Sequence, residues 1–178
     1  MRLEEAIDSL TRDVPDFPTP GVVFKDLGAL FANHEVFSAV IEGLASSGRD
    51  ESGAVVVDKV VGMEARGFIL AAPVALALGT GFVPVRKAGK LPGKTHAVSY
   101  ALEYGEATLE IQADGIVPGE RVLLVDDVLA TGGTVNATRE LVESCGGIPT
   151  RCAVLMELAF LNGREALGDL PLDAVRTL

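Results

Sequence analysis

The stretch Val122–Thr134 constrains this chain more than any other. Val122-Leu123-Leu124-Val125 is a continuous apolar run, the pattern of a parallel strand covered on both faces. It ends on two adjacent carboxylates, Asp126 and Asp127, a poor place for charge unless a ligand meets it there. A Thr-Gly-Gly-Thr turn follows, Thr131 to Thr134, and a helical pattern begins at Val135. A strand, a glycine turn and a helix start together make an anion site. Glycines let the backbone come close, successive amides point at one spot, and the helix dipole favours negative charge. The carboxylates suit hydroxyl groups, or a metal ion with its waters. A sugar phosphate satisfies both surfaces. The competing reading makes Asp126 or Asp127 a helix cap and the glycines a plain turn. The acidic pair alone favours the cap; the pair with the glycine turn favours the ligand. Neither a Gly-Lys-Ser/Thr ending nor a Gly-x-Gly-x-x-Gly fingerprint is present, so the turn belongs to another class of phosphate site.

At 178 residues the chain reads as one domain, 1–178, long enough to bury a real core. Its longest apolar stretch, Phe68 to Leu78, contains Pro73 and is too short to span a bilayer. The start, Met1-Arg2-Leu3-Glu4-Glu5, carries acids where a signal peptide needs a basic region, which makes cytoplasm the default. Cys145 and Cys152 lack metal-ligand spacing and sit in apolar contexts, so reduced structural thiols are expected. A formal charge of −10 argues against nucleic acid or an anionic membrane as the main partner. Yet Arg86, Lys87, Lys90 and Lys94 fall within nine positions, a cluster suited to a small polyanion.

Along the chain, Leu3 to Val14 reads as an amphipathic helix, with Leu3, Ile7 and Leu10 on one stripe. Residues 15–21 are too rich in proline for helix or central strand, and 22–26 form a short extended piece. Asn33 to Ser46 is the clearest helix, capped by Asn33, with Val36, Phe37, Val40, Ile41 and Leu44 on one face. Strand is expected at Ala54–Val57 and Val60–Val61, then a turn carrying Arg66 and a helix to about Leu78. A third strand, Gly81–Lys87, ends in charge; 88–97 is a basic, Gly-rich, mobile segment; and 98–112 alternates as a hairpin turning at Gly105-Glu106. Helix 135–145, strand 151–158, a short helix at 162–167 and a last strand at 172–178 complete the series. Alternation of this kind implies an α/β fold, a doubly wound, mostly parallel central sheet flanked by helices, with ligands at the carboxyl ends of its strands.

The 122–134 run resembles the PRPP (phosphoribosyl diphosphate) motif of the type I phosphoribosyltransferases, and its wording is similar to the members that act on adenine. Phe17-Pro18-Thr19-Pro20-Gly21-Val22-Val23-Phe24-Lys25-Asp26 resembles the family's base-pocket segment. The resemblance implies main-chain hydrogen bonds from Val23 and Lys25, stacking on Phe24, and a pocket wall from Leu158. Glu64-Ala65-Arg66-Gly67 is similar to the diphosphate loop, implying a cis peptide at Glu64–Ala65 and a diphosphate contact from Arg66. Lys87 to Gly93 and Ser99 to Gly105 match the flexible catalytic segment, implying a hood over 1–34, a hairpin lid over 88–112, and Glu103 and Tyr104 near the base. The tail after Leu172 departs from the longer aromatic or proline-rich ending of many members.

Taken together, the resemblance implies transfer of a phosphoribosyl group from PRPP to adenine, giving AMP and diphosphate. Asp126 and Asp127 would hold the ribose hydroxyls and oppose positive charge on the sugar. Ala130, Thr131, Gly132, Gly133 and Thr134 would grip the 5′-phosphate. Arg66, Arg86, Lys87 and Lys90, with Mg²⁺ carried on substrate oxygens and water, would neutralise the diphosphate. Glu103 is the candidate for proton transfer. A homodimer is a further implication. Three alternatives stay open: a phosphoribosyltransferase for another base, a non-catalytic PRPP-binding regulator, and a nucleotide-binding fold whose acidic pair serves Mg²⁺.

Overall fold

The structure, a computed structural model, describes residues 2–102 and 105–178. Helix α1 (Leu3–Leu10) buries Ala6 and Ile7, and stops four residues short of the expected Val14. Arg12–Pro15 instead forms strand β1, paired antiparallel with β2 (Val23–Asp26), so the Pro-rich 16–22 segment is the tip of a small two-stranded arm. A short helix, α2 (Gly28–Ala32), was not visible as a period in the sequence. It leads into α3 (His34–Ser46), where the Asn33 side chain accepts from the Val36 amide at 3.1 Å as an N-cap should.

Strand β3 (Lys59–Met63) starts later than the valine run suggested. Val55 makes only an isolated bridge to Arg49 in a tight turn knotted by Asp50. The chain continues through α4 (Arg66–Leu78, with Pro73 inside it), β4 (Gly81–Lys87), β5 (Thr95–Ala101) and β6 (Glu106–Gln112). Strand β5 begins at Thr95, three residues before the hairpin expected at Val98, because Thr95 already pairs with Gln112. Then follow β7 (Arg121–Leu129), α5 (Gly133–Ser144), β8 (Ile148–Glu157), a 3-10 turn (Ala159–Leu161), α6 (Gly163–Ala166) and β9 (Leu172–Thr177).

Seven strands form one sheet in the order β5-β6-β4-β3-β7-β8-β9. Strands β4, β3, β7, β8 and β9 run parallel, and the β5–β6 hairpin adds antiparallel at the β4 edge. The expected doubly wound, mostly parallel α/β sheet is therefore present. Alternate residues of β7 feed two cores, as the period of a strand requires. Val122 and Leu124 pack with Val135, Leu141 and Val142 of α5. Leu123 and Val125 pack with Val40 and Leu44 of α3 and Leu70 and Val74 of α4. Both cysteines are buried free thiols, pushed above their ordinary pKa by burial. Among the described residues no helix is long and apolar enough to cross a membrane.

From β3 the sheet grows one way to β4 and the other way to β7, β8 and β9. The strand order thus reverses between β3 and β7, and a crevice opens there at the carboxyl ends. Leu123, fully buried on the central strand, is a direct test of this core. Leu123→Ala is expected to lower stability by roughly 2–5 kcal/mol in urea denaturation.

Candidate active site

Two loops meet at that crevice, the one after β3 and the one after β7. Strand β7 does not stop at the acidic pair. Val128 and Leu129 prolong its ladder with β8, where Val128 faces Met156 and Leu129 faces Glu157. Asp126 and Asp127 are therefore inside the strand rather than beyond its end, and both are buried. Val128, which is β-branched, and the apolar Leu129 keep the backbone extended past the carboxylates, so the strand runs further than the apolar run 122–125 predicts.

The two carboxylates have different surroundings. Asp126 Oδ1 accepts from the Asp127 amide at 2.8 Å. Burial, and then the charge of Asp127 beside it, push Asp126 well above the usual carboxyl range, with Arg66 pulling weakly the other way. Asp127 Oδ2 lies 2.6 Å from Arg66 Nε, but as an ion contact only: among the described residues this buried oxygen has no hydrogen-bond donor. Gly67 makes the packing possible, because a Cβ there would stand 2.8 Å from Asp126 Oδ1.

Arg66 also reaches away from the acids. Its Nη1 donates to the Lys25 carbonyl at 2.6 Å, and its guanidinium carbon lies 4.4 Å from the Phe24 ring centroid. One side chain thus ties the β1–β2 arm to the acidic pair. The Lys25 side chain is turned elsewhere, paired with Asp13. The Glu64–Ala65 peptide is cis, as the resemblance implied.

Helix α5 starts at Gly133 behind Gly132, whose φ of 87° suits glycine, and among the described residues no side chain caps its first amides. Those amides face a cavity of about 300 Å³ lined by Asp126, Ala130, Thr131, Gly132, Gly133 and Thr134. Tyr100 of β5 covers it, its hydroxyl 2.9 Å from Thr134 Oγ1. The loop is braced from behind by Gly163, where a Cβ would come within 2.2 Å of the Ala130 carbonyl oxygen. A second cavity of about 520 Å³ is lined by Val23, Phe24, Lys25, Arg66, Leu158 and Phe160, and it shares Val128, Ala130 and Thr131 with the first.

The basic cluster is organised around Glu64. Its Oε2 accepts from Arg86 Nε at 3.2 Å and from the Lys87 amide at 3.0 Å, and its Oε1 pairs with Lys90 Nζ. Burial pushes Glu64 up, but Lys90, the Lys87 amide and Arg86 more than offset it, so the carboxyl lies below its usual range. Of the residues singled out in the sequence, Asp126, Arg66, Ala130, Thr131, Gly132, Gly133, Thr134, Val23, Phe24, Lys25 and Leu158 line the two joined cavities, and Asp127 reaches them through its ion pair with Arg66. Arg86, Lys87 and Lys90 gather at Glu64 instead. Glu103 and Tyr104 lie outside the described residues. Sequence reasoning missed Tyr100, Phe160 and the anchoring role of Glu64. Tyr100 and Phe160 are aromatic residues beside segments already marked, which was the available signal.

The phosphoribosyl transferase domain family matches residues 27–166 of this chain. This chain belongs to the phosphoribosyltransferase family. An adenine phosphoribosyltransferase of Nocardioides sp. is 65% identical over 176 residues, covering 99% of this chain and 95% of the relative. The crystal structure of adenine phosphoribosyltransferase from Thermoanaerobacter pseudethanolicus matches with a TM-score of 0.92 at 44% identity, covering 99% of this chain and 100% of that one. The Saccharomyces cerevisiae enzyme, complexed with adenine and D-2,5-dideoxy-2,5-imino-altritol 1,6-bisphosphate, matches at 0.91 with 39% identity, covering 97% of this chain and 98% of its own. The sheet is therefore the type I phosphoribosyltransferase fold expected from the resemblance.

In this family site Asp126 works against stability. The fold prefers Asp126 neutral, so stability rises as pH falls through its raised pKa and stops rising below the unfolded value near ~3.9. Asp126→Asn is expected to lose that pH-dependent rise and to gain about 1 kcal/mol near neutral pH, read by urea denaturation across pH.

Proposed function

We propose that this chain is an adenine phosphoribosyltransferase of purine salvage, coupling adenine to PRPP to give AMP and diphosphate. One observation carries the reading: an aromatic-lined cavity and an amide-lined cavity join at Val128, Ala130 and Thr131, with Asp126 in the wall of the second and its neighbour Asp127 paired with Arg66 of the first. A nucleoside monophosphate has the same three parts in the same order.

Adenine enters between Phe24 and Leu158, where Val23 and Lys25 present main-chain groups to its edge. The 5′-phosphate sits on the amides of Ala130 to Thr134 and the hydroxyls of Thr131 and Thr134. N9 then attacks the anomeric carbon as the bond to the diphosphate oxygen breaks. Positive charge grows on the sugar ring, and Asp126 and Asp127, which hold the ribose hydroxyls, oppose it. Arg66, Arg86, Lys87 and Lys90 take up the charge of the departing diphosphate. The N9 proton passes to Glu103, the candidate base of the lid. Residues 88–112 close as that lid and keep water from the activated sugar, while residues 1–34 form the hood that carries the base-binding arm.

Among the described residues no three His, Cys, Asp or Glu side chains converge to cage a metal. The orphaned oxygen of Asp127 and the carboxylate of Asp126 fit Mg²⁺ held chiefly by substrate oxygens and water. Bound there, Mg²⁺ would supply positive charge to the diphosphate. The reading also places the enzyme in the cytoplasm, since PRPP is too highly charged to cross a bilayer unaided, and takes it as a homodimer from the family resemblance alone.

Purified protein given adenine, PRPP and Mg²⁺ is expected to release diphosphate and form AMP, and to use hypoxanthine or orotate poorly. Asp127→Asn is expected to keep the fold and lose at least about a hundredfold in turnover. Release of diphosphate at the wild-type rate by that variant would refute the role of the acids.

A further inference from the structure

Glu64 stands at the exit of β3, its amide donating to the Val85 carbonyl at 3.0 Å, so β4 pins its backbone. Its carboxylate faces two of the four cations assigned above to the leaving diphosphate, Arg86 and Lys90, and the main-chain amide of Lys87. It accepts from Arg86 Nε and the Lys87 amide through one oxygen and pairs with Lys90 through the other. The anion is sunk and the cations are reachable: side-chain exposure is 7% for Glu64, 35% for Arg86 and 47% for Lys90. Lys90 rides on the loop between Gly89 and Gly93, both at positive φ, and ends in a flexible four-carbon stem. A diphosphate arriving from solvent therefore meets cations that already have an anion.

We propose that Glu64 is a resident stand-in for diphosphate, occupying Arg86 and Lys90 before PRPP binds and competing with diphosphate for them during turnover. This rests on the phosphoribosyl-transfer reading given above. A buried carboxylate is costly when it loses partners. When diphosphate draws Lys90 away, Glu64 keeps only Arg86 and the Lys87 amide, and the strain of that state favours return of the lysine and departure of the product. Glu64 is a positioning residue in this scheme, acting through the cations and touching no reacting atom.

The scheme has a sign that a purely structural role lacks. A scaffold residue, once neutralised, leaves the cations loose and weakens diphosphate binding. A competitor, once neutralised, frees them and tightens it. Calorimetric titration with magnesium diphosphate is expected to give about fivefold tighter binding to Glu64→Gln than to wild type, the size of one partly exposed ion pair. In a Lys90→Ala background the same change is expected to give less than about a twofold gain, because the shared cation is gone. Unchanged or weaker binding by Glu64→Gln, or an equal gain without Lys90, would overturn the proposal. Should Glu64→Gln fail to fold by circular dichroism, Glu64→Asp draws the charge back from Lys90 by one methylene and must shift binding in the same direction. Wild-type protein that takes up no magnesium diphosphate would refute the phosphoribosyl-transfer reading itself, and the competition with it.

Discussion

Arg66 against Asp127, 2.6 Å apart, is the contact on which the site depends. It joins the loop after β3 to strand β7, across the point where the sheet changes direction. Without a cation there, two adjacent carboxylates buried at the centre of a parallel sheet would repel each other in a medium that screens poorly. With it, the pair is tolerated and one oxygen of Asp127 remains without a hydrogen bond. The same guanidinium lies by Phe24 and donates to the Lys25 carbonyl, so Arg66 ties the arm that supplies the aromatic cavity to the acids.

Around that contact the fold supplies rigid support. Val122 to Val125 fill both cores and fix the strand that carries the acids. Gly67 and Gly163 allow backbone and carboxylate approaches that any side chain would block, one in front of the acidic pair and one behind the phosphate loop. The β5–β6 hairpin lies at the sheet edge, with the basic loop before it. The charged groups on that side are held by Glu64 rather than left to solvent.

The parallel sheet was legible because its strands are apolar runs punctuated by glycine and charge, and because β-α alternation recurs from Val60 onward. The anion site was legible for the same reason: Thr131 to Thr134 break a strand and open a helix in four residues. Less legible were the features set by tertiary pairing. Arg12–Pro15 looks like the end of an amphipathic helix until Val23–Asp26 lies beside it. Ala54–Val57 has every β-branched mark of a strand, yet Val55 finds only Arg49 for a partner. Asp126 and Asp127 looked like the end of a strand because charge usually terminates one; β8 continues the ladder past them. Glu64 could not be told from an ordinary loop acid, since its three partners come from positions 86, 87 and 90.

The central claim is that one nucleotide spans both cavities and is held at its sugar by the acidic pair. A crystal structure of the AMP complex tests it most directly. The account predicts the adenine ring between Phe24 and Leu158, the ribose hydroxyls on Asp126 and Asp127, and the phosphate on the amides of Ala130 to Thr134. A phosphate bound anywhere other than the start of α5, or a ribose turned away from the carboxylates, would contradict it.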